Sequence, residues 1–265
     1  MYKIKQTILI KLASLFRVNL LGTAYKGLGI GQDSDIRRNG EEFFLKSYLP
    51  KILKDSNEAI FDVGMNKGEY SELLLEYFPH HQIHGIEPNT ALMAGLRSKF
   101  ASSGNMHIHN FAISDSLSIN KLYVYKDDPV TGHASLNRGV LEILHNFVAI
   151  DSIDVETTTL SELCKYNGIL HIDFLKIDIE GYELKALQSL GNLLEKVKVI
   201  QIEFNEMNIL SRVFMFDFFA LLKHYNAYRL LPNGIFPLKK YNSTLEVFRY
   251  QNVVFINKAY DCFAS

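Results

Sequence analysis

The stretch Phe61-Asp-Val-Gly-Met-Asn-Lys-Gly-Glu-Tyr-Ser71, answered by Ile86-Glu87-Pro88, decides how this chain is read. Ala59–Val63 is a short apolar run broken only by Asp62, with glycines following at 64 and 68. Leu73, Leu74 and Tyr77 then recur at helical spacing. That order predicts a strand, a tight turn and a helix. Glycine in such a turn lets the backbone approach a ligand that a Cβ would hold off. Glu87 closes the next apolar strand, and a carboxylate at the C-terminal edge of a parallel sheet is placed to accept hydrogen bonds from a ribose diol. Together the two pieces predict a nucleoside site.

Outward from this pair the pattern keeps alternating. A helix over 91–100, a strand near Met106–His109, an apolar run over 174–178, a helix over 182–190 and the strand Val197–Phe204 describe a doubly wound, mostly parallel sheet with helices on both faces. The block 118–150 interrupts the alternation. Ser118–Tyr125 reads as an exposed strand, Asp127-Asp128-Pro129 as a turn, and 153–158 as a β-branched edge strand, so the block is expected to face the substrate. A helix from Met215 leads to strands near 228–231 and 252–256, one of them expected to run antiparallel at the sheet edge. The glycine-rich segment 22–40 is expected to be a hinge, which divides the chain into an N-terminal helical extension (1–57) and the main domain (58–265).

Composition excludes some classes of function. The 265 residues carry 28 basic against 29 acidic side chains with no basic stripe, so no nucleic-acid footprint is expected. Cys164 and Cys262 stand far apart without metal-ligand spacing, which points to a reducing, cytoplasmic setting without disulfides. Residues 3–21 mix Ile8, Leu9, Leu12, Leu15, Phe16 and Leu20 with Lys3, Lys5, Lys11 and Arg17. The charges interrupt the run too often for a transmembrane helix, leaving a capping helix or peripheral contact with the inner face of a membrane.

The turn itself distinguishes cofactors. A dinucleotide fold presents Gly-x-Gly-x-x-Gly, so that a pyrophosphate meets bare helix-start amides. Here Gly64-x-Asn66-x-Gly68 puts asparagine in the middle, and Asp62 and Glu69 flank the loop. Those acids disfavour a pyrophosphate and suit the ammonium and sulfonium of S-adenosylmethionine (SAM). A second acidic constellation, Lys176-Ile-Asp178-Ile-Glu180-Gly-Tyr-Glu183, ends the next core strand, where Glu183 is placed to cap the following helix.

In order, FDVGMNKGEYS, GIEPN, HNFAISD, GHASL, TTTLSEL and FLKIDIEGYELKAL resemble the FkbM family of SAM-dependent methyltransferases across about residues 58–206. The resemblance implies a class I methyltransferase fold, Rossmann-like, with a seven-stranded sheet, and O-methylation of a hydroxyl on a sugar, glycan or other small hydroxylated metabolite. By position, Asp62, Gly64, Asn66 and Gly68 would line the methionine end of SAM, Glu87 the ribose, and Ala112 and Asp115 the adenine. Tyr70 and Pro88 belong to the same cofactor-binding motifs, and Asp178 would sit beside the methyl group. Met65 departs from the family's usual small alanine.

An alcohol acceptor must lose a proton, so a base within hydrogen-bond reach is expected. Asp178 is the first candidate and His133 in Gly132-His-Ala-Ser-Leu136 the second. Glu203 and Asn205 share the same sheet edge and with Asp178 could present oxygens to magnesium, although no metal ligand is assigned. Two other readings are an NAD-dependent oxidoreductase and a non-catalytic SAM-binding module of a glycan-assembly complex.

Overall fold

The computed structural model describes every residue except Met1, Asp55, Thr131 and Ser265, and the side chains of Tyr2, Lys3, Ile4 and Ile8 also lie outside the description. The strands are β1 (Ala59–Val63), β2 (Ile83–Ile86), β3 (Met106–His109), β4 (Ala112–Ile113), β5 (Ser118–Tyr125), β6 (Ile150–Thr158), β7 (Ile172–Ile177), β8 (Val197–Phe204), β9 (Tyr225–Leu231), β10 (Gly234–Leu238) and β11 (Gln251–Asn257). The helices are α1 (Tyr2–Leu15), α2 (Leu20–Gly27), α3 (Glu41–Ser47), α4 (Leu49–Leu53), α5 (Glu69–Tyr77), α6 (Thr90–Lys99), α7 (Leu160–Tyr166), α8 (Glu183–Gln188), α9 (Met207–Ser211) and α10 (Met215–Leu221).

The main sheet runs β10-β9-β11-β8-β7-β1-β2-β3. From β8 through β3 every pairing is parallel, while β11 runs antiparallel to both β8 and β9. β1, β7 and β8 hold the middle, and nearly every residue on them is buried. Such continuous burial is what a parallel sheet covered on both faces requires. Phe61, Leu175 and Ile200 pack on one face with residues of α7, α8 and α10. Ile60, Phe174 and Val199 pack on the other with residues of α3, α4 and α5.

This is the expected class I methyltransferase architecture, with eight strands rather than seven. The additional strand, β10, closes a hairpin with β9 across Pro232-Asn233. It carries Pro237, which a sheet edge tolerates because the missing N–H has no ladder to break. The antiparallel strand β11 is interior, not at the edge, because β9–β10 continues the sheet beyond it. β6 likewise is not an edge strand: it extends over 150–158 and sits in the middle of a three-stranded sheet, β4-β6-β5.

In the glycine-rich segment α2 buries no residue, whereas Gly29 and Gly40 pack tightly against β9. Gly40, at φ +104°, lies so close to β9 that a Cβ would meet the Leu231 carbonyl oxygen at 2.2 Å. The buried Arg229 donates to the Leu28 carbonyl at 3.0 Å and to Gln251 Oε1 at 2.7 Å. Phe44, Leu45 and Leu49 share a core with Ile60 and Leu74, so residues 41–53 pack as part of the body that follows residue 57.

Candidate active site

A cavity of about 400 Å³ opens at the C-terminal edge of β1, β2, β7 and β8. The turn after β1 forms its floor. Gly64 has φ +85°, and a Cβ there would lie 1.9 Å from the Asp178 carbonyl oxygen, so only glycine allows β1 and β7 to meet as closely as they do. Asn66 follows in the left-handed region at φ +47°, a conformation that asparagine tolerates better than most residues.

This conformation points the Asn66 backbone N–H at Glu87 Oε2, 3.0 Å away, while the Asn89 N–H donates to Oε1 at 2.8 Å. Asn110 ties down the same corner by donating to the carbonyls of Glu87 and Pro88 at 2.9 and 3.1 Å. The Glu87 carboxylate is thus fixed at the strand end, and each oxygen keeps a further lone pair for a diol. Burial pushes its pKa up to about 7, against the partial relief given by those two N–H donors. Ile86, Leu92, Ala112 and Ile113 make an apolar wall beside it, suited to a flat base.

On the opposite side the chain after β7 supplies Asp178 and Glu180. Lys176 Nζ lies 3.1 Å from Asp178 Oδ2 and 3.7 Å from Asp62 Oδ1. Burial alone would lower the Lys176 pKa, but Asp178, Asp62 and Glu41 outweigh it and hold the ammonium above its ordinary value. Burial raises Glu180, and raises Glu203 strongly, with neighbouring carboxylates adding to the latter. Tyr250 completes the wall, its hydroxyl accepting from Asn39 at 2.9 Å and Asn252 at 3.0 Å.

The structure brings Gly64, Asn66, Glu87, Pro88, Ala112, Asp178 and His133 to one cavity. Four other expected positions lie off it. Asp62 points with Ile60 to the α5 side of the sheet, accepts from Ser71 Oγ at 2.7 Å, and reaches the site only through Lys176. Tyr70, on the same side, is buried on Phe174 and donates to Gln201. Gly68 begins α5 against Phe100 of the α6 region. Asp115 sits at the surface in an ion pair of 3.5 Å with Lys185. All four follow the quoted motifs, but strand alternation and helix direction turn them elsewhere.

Glu183 stands in the first turn of α8 but does not cap it: its Oε1 accepts the N–H groups of Ile179 and Gly181, in the loop before the helix, at 3.1 and 3.0 Å. The arrangement Asp178–Glu203–Asn205 does not present three free oxygens. The Asn205 amide donates to Glu203, and its oxygen accepts the Met207 N–H at 2.8 Å.

The cavity's charge discriminates between ligands. Among the described residues, Glu87, Asp178, Glu180, Glu203 and Glu206 line it and no lysine or arginine does. A pyrophosphate would find no partner there, whereas a sulfonium and an ammonium would. The Asn66 side-chain oxygen is buried without a partner, as expected for an atom awaiting a ligand's donor. The fixed Glu87 carboxylate, the apolar base wall and the acidic floor therefore fit SAM.

Comparison with known proteins gives the following similarities. The model of the methyltransferase FkbM domain matches residues 62–230. A 2-O-methyltransferase, NoeI, of Sinorhizobium fredii is 22% identical over 180 residues, 66% of this chain and 74% of that protein. Among solved structures, the plantazolicin methyltransferase BpumL in complex with SAH aligns at TM-score 0.45 and 13% identity over 91% of each chain. The precorrin-6y C5,15-methyltransferase of Geobacter metallireducens aligns at TM-score 0.42 and 9% identity, over 86% of this chain and 95% of that one.

Proposed function

The chain belongs to the FkbM methyltransferase family, and from that membership we propose that it is a SAM-dependent O-methyltransferase acting on a hydroxyl of a sugar or glycan. The observation that carries this reading is the composition of the cavity beyond the cofactor corner. Asp178, Glu180, Glu203, Asn205, His133 and Tyr250 all face it. The carboxyl groups and the imidazole offer several hydrogen-bonding oxygens and nitrogens, suited to a neutral molecule that presents several hydroxyls.

SAM, when bound, supplies an electrophilic methyl group on a sulfonium. The protein's part is then alignment, exclusion of water and acceptance of one proton. Glu87, clamped by two backbone N–H groups, orients the ribose. Asp178 is held by Lys176 at 3.1 Å, and in this reading it takes the hydroxyl proton. The segment between β5 and β6, which carries His133, walls the outer side and sets which hydroxyl enters.

The test is methyl transfer from labelled SAM to a panel of sugars and glycans, using the wild type and Asp178→Asn. Turnover should fall roughly 10²- to 10⁴-fold in the variant, the usual share of general-base catalysis, with SAH affinity changed only a few-fold. Full activity in the variant would remove Asp178 as the base. Absence of transfer to any hydroxyl, with SAH bound tightly, would favour the non-catalytic module.

We also propose that the N-terminal helices rest on an anionic membrane surface. Residues 1–32 contain Lys3, Lys5, Lys11, Arg17 and Lys26 and no acidic residue. Leu9, Ile10, Leu12, Leu15, Phe16 and Leu21 are exposed on α1, α2 and the turn between them. Among the described residues no single helix is long and apolar enough to cross a membrane, and Lys5–Leu15 and Leu20–Gly27 meet at 110°. An exposed apolar surface flanked only by cations suits the headgroup boundary of an acidic bilayer. Lys3, Ile4 and Ile8, which the sequence also assigned to this surface, have side chains outside the described residues.

A further inference from the structure

His133, His145 and Glu180 come from distant parts of the chain and meet at the outer wall of the cavity. His133 lies in the connection between β5 and β6, His145 follows a π-helical turn over Val140–Leu144, and Glu180 follows β7. One ligand atom from each lies within 4.8 Å of the others. His133 Nδ1 and Glu180 Oε1 are 3.8 Å apart, and the two imidazole rings are 4.1 Å apart.

We propose that this cluster is a binding site for one divalent first-row transition-metal ion. The spacing is too wide for a direct hydrogen bond between His133 and Glu180, which would bring the atoms to about 2.7–3.2 Å. It suits a shared ion, because two ligands at about 2.0–2.2 Å from one metal at a tetrahedral angle stand about 3.3–3.6 Å apart. Separations of up to 4.8 Å close to that range by about 1 Å of side-chain adjustment.

Glu180 Oε2 and His145 Nε2 are among seven buried side-chain atoms of the described residues that lack a hydrogen-bond partner. Both belong to the cluster, and an ion would account for them. The surroundings are also those of a built site. Glu180 is held at φ +56°, a strained backbone for a residue with a side chain, and its carbonyl accepts from Ser135 Oγ at 3.3 Å. Such strain persists where surrounding structure enforces it, commonly at functional positions. Phe147 and Tyr125 stack outward from His145, giving that side of the cluster an aromatic backing, while His133 stays open to solvent.

Two imidazoles and one carboxylate leave coordination positions open, and this ligand set suits zinc, iron(II), cobalt or nickel better than magnesium. His133 and Glu180 line the cavity, and Glu180 stands two residues beyond Asp178. The open positions therefore face the place where the acceptor hydroxyl would lie, and an ion there would bind and polarise that hydroxyl. This role rests on the methyltransferase reading above; the binding of the ion does not.

Cobalt(II) is the probe, added to chelator-treated full-length protein. One equivalent should bind with visible ligand-field bands, and His145→Gln and Glu180→Gln should each weaken binding by at least roughly tenfold. Circular dichroism and melting temperature measured in parallel show that the variants are folded. No stoichiometric binding by the wild type, or binding unchanged in both variants, overturns the site. Methyl transfer with and without chelator is read separately: transfer that never needs the ion overturns its role toward the acceptor but leaves the methyltransferase reading intact. Cobalt binding lost in the variants, alongside absence of any methyl transfer, supports the site and counts against that reading instead.

Discussion

Replacing Glu87 by glutamine gives a prediction whose size and pH dependence both follow from geometry. Its two oxygens accept the Asn66 and Asn89 backbone N–H groups at 3.0 and 2.8 Å. Glutamine can satisfy only one of them, because its amide nitrogen must face the other donor to donor. That mismatch costs about 1–3 kcal/mol with or without ligand and so falls on stability, whereas the weakened charge-assisted hydrogen bonds to the ribose diol fall on binding. A loss of about 1.5–3 kcal/mol there corresponds to roughly 10- to 150-fold weaker binding of SAH.

The pH profile is the sharper part. Burial holds Glu87 near pKa 7 in the free protein, and a diol donating to the carboxylate favours its ionised form. Wild-type affinity should therefore rise with pH by up to about tenfold per unit until about pH 7 and then flatten. Glu87→Gln should lose that slope. Stability runs the other way. A carboxyl whose folded pKa lies above its ordinary 4.5 stabilises the fold fully below that value, and the contribution is lost as pH rises through about 7. At pH 8 the ionised group costs the unliganded protein about 3 kcal/mol, which glutamine removes while losing a hydrogen bond of comparable worth. Unliganded melting temperature should therefore change little. Calorimetric titration of SAH from pH 5.5 to 8.5 is the assay; an unchanged slope in the variant, or affinity within threefold of wild type, would refute the reasoning.

Three further outcomes are expected. Lys176→Met strips the cation from among Asp62, Asp178 and Glu41 and should destabilise the protein by about 3–5 kcal/mol in urea melts; the deficit should shrink as pH falls and the carboxylates protonate, and equal loss at pH 5 and 8 would contradict this. Gly64→Ala forces a Cβ against the Asp178 carbonyl oxygen and should cost about 2–5 kcal/mol from overpacking and left-handed strain together; a near-neutral melt would show that the strands can part. Leu15→Ser with Phe16→Ser should abolish co-sedimentation with vesicles containing acidic lipid and leave the melting temperature unchanged; identical sedimentation of variant and wild type would end the membrane proposal.

The doubly wound core was legible because its strands are continuous apolar runs, and Glu87, Asp178 and the Gly64 turn sat at their ends. What escaped reading depended on partners far away in sequence. β10 was missed in the C-terminal segment, although Pro232-Asn233-Gly234 is a turn sequence between two apolar runs, and the sequence alone did not show that β11 would insert between β8 and β9. Asp62 and Tyr70 lie in the most recognisable motif yet face away from the cavity, since a motif gives spacing and not the direction of each side chain. Tyr250 and His145 had no local signature: one lies outside the recognised motifs, and the other becomes a neighbour of His133 only after the π-helical turn.

The place of β11 has a consequence for the order of events during synthesis. It follows β9 and β10 along the chain, yet it separates β8 from β9 in the finished sheet. Until residue 257 has left the ribosome, β8 ends the parallel sheet with an open edge, and the β9–β10 hairpin has no strand through which to join it. Unpaired edges of this kind attract other chains. The nascent protein therefore depends longest on protection at its C-terminal quarter, and Tyr250 at the start of that strand arrives in the cavity wall only as the sheet closes.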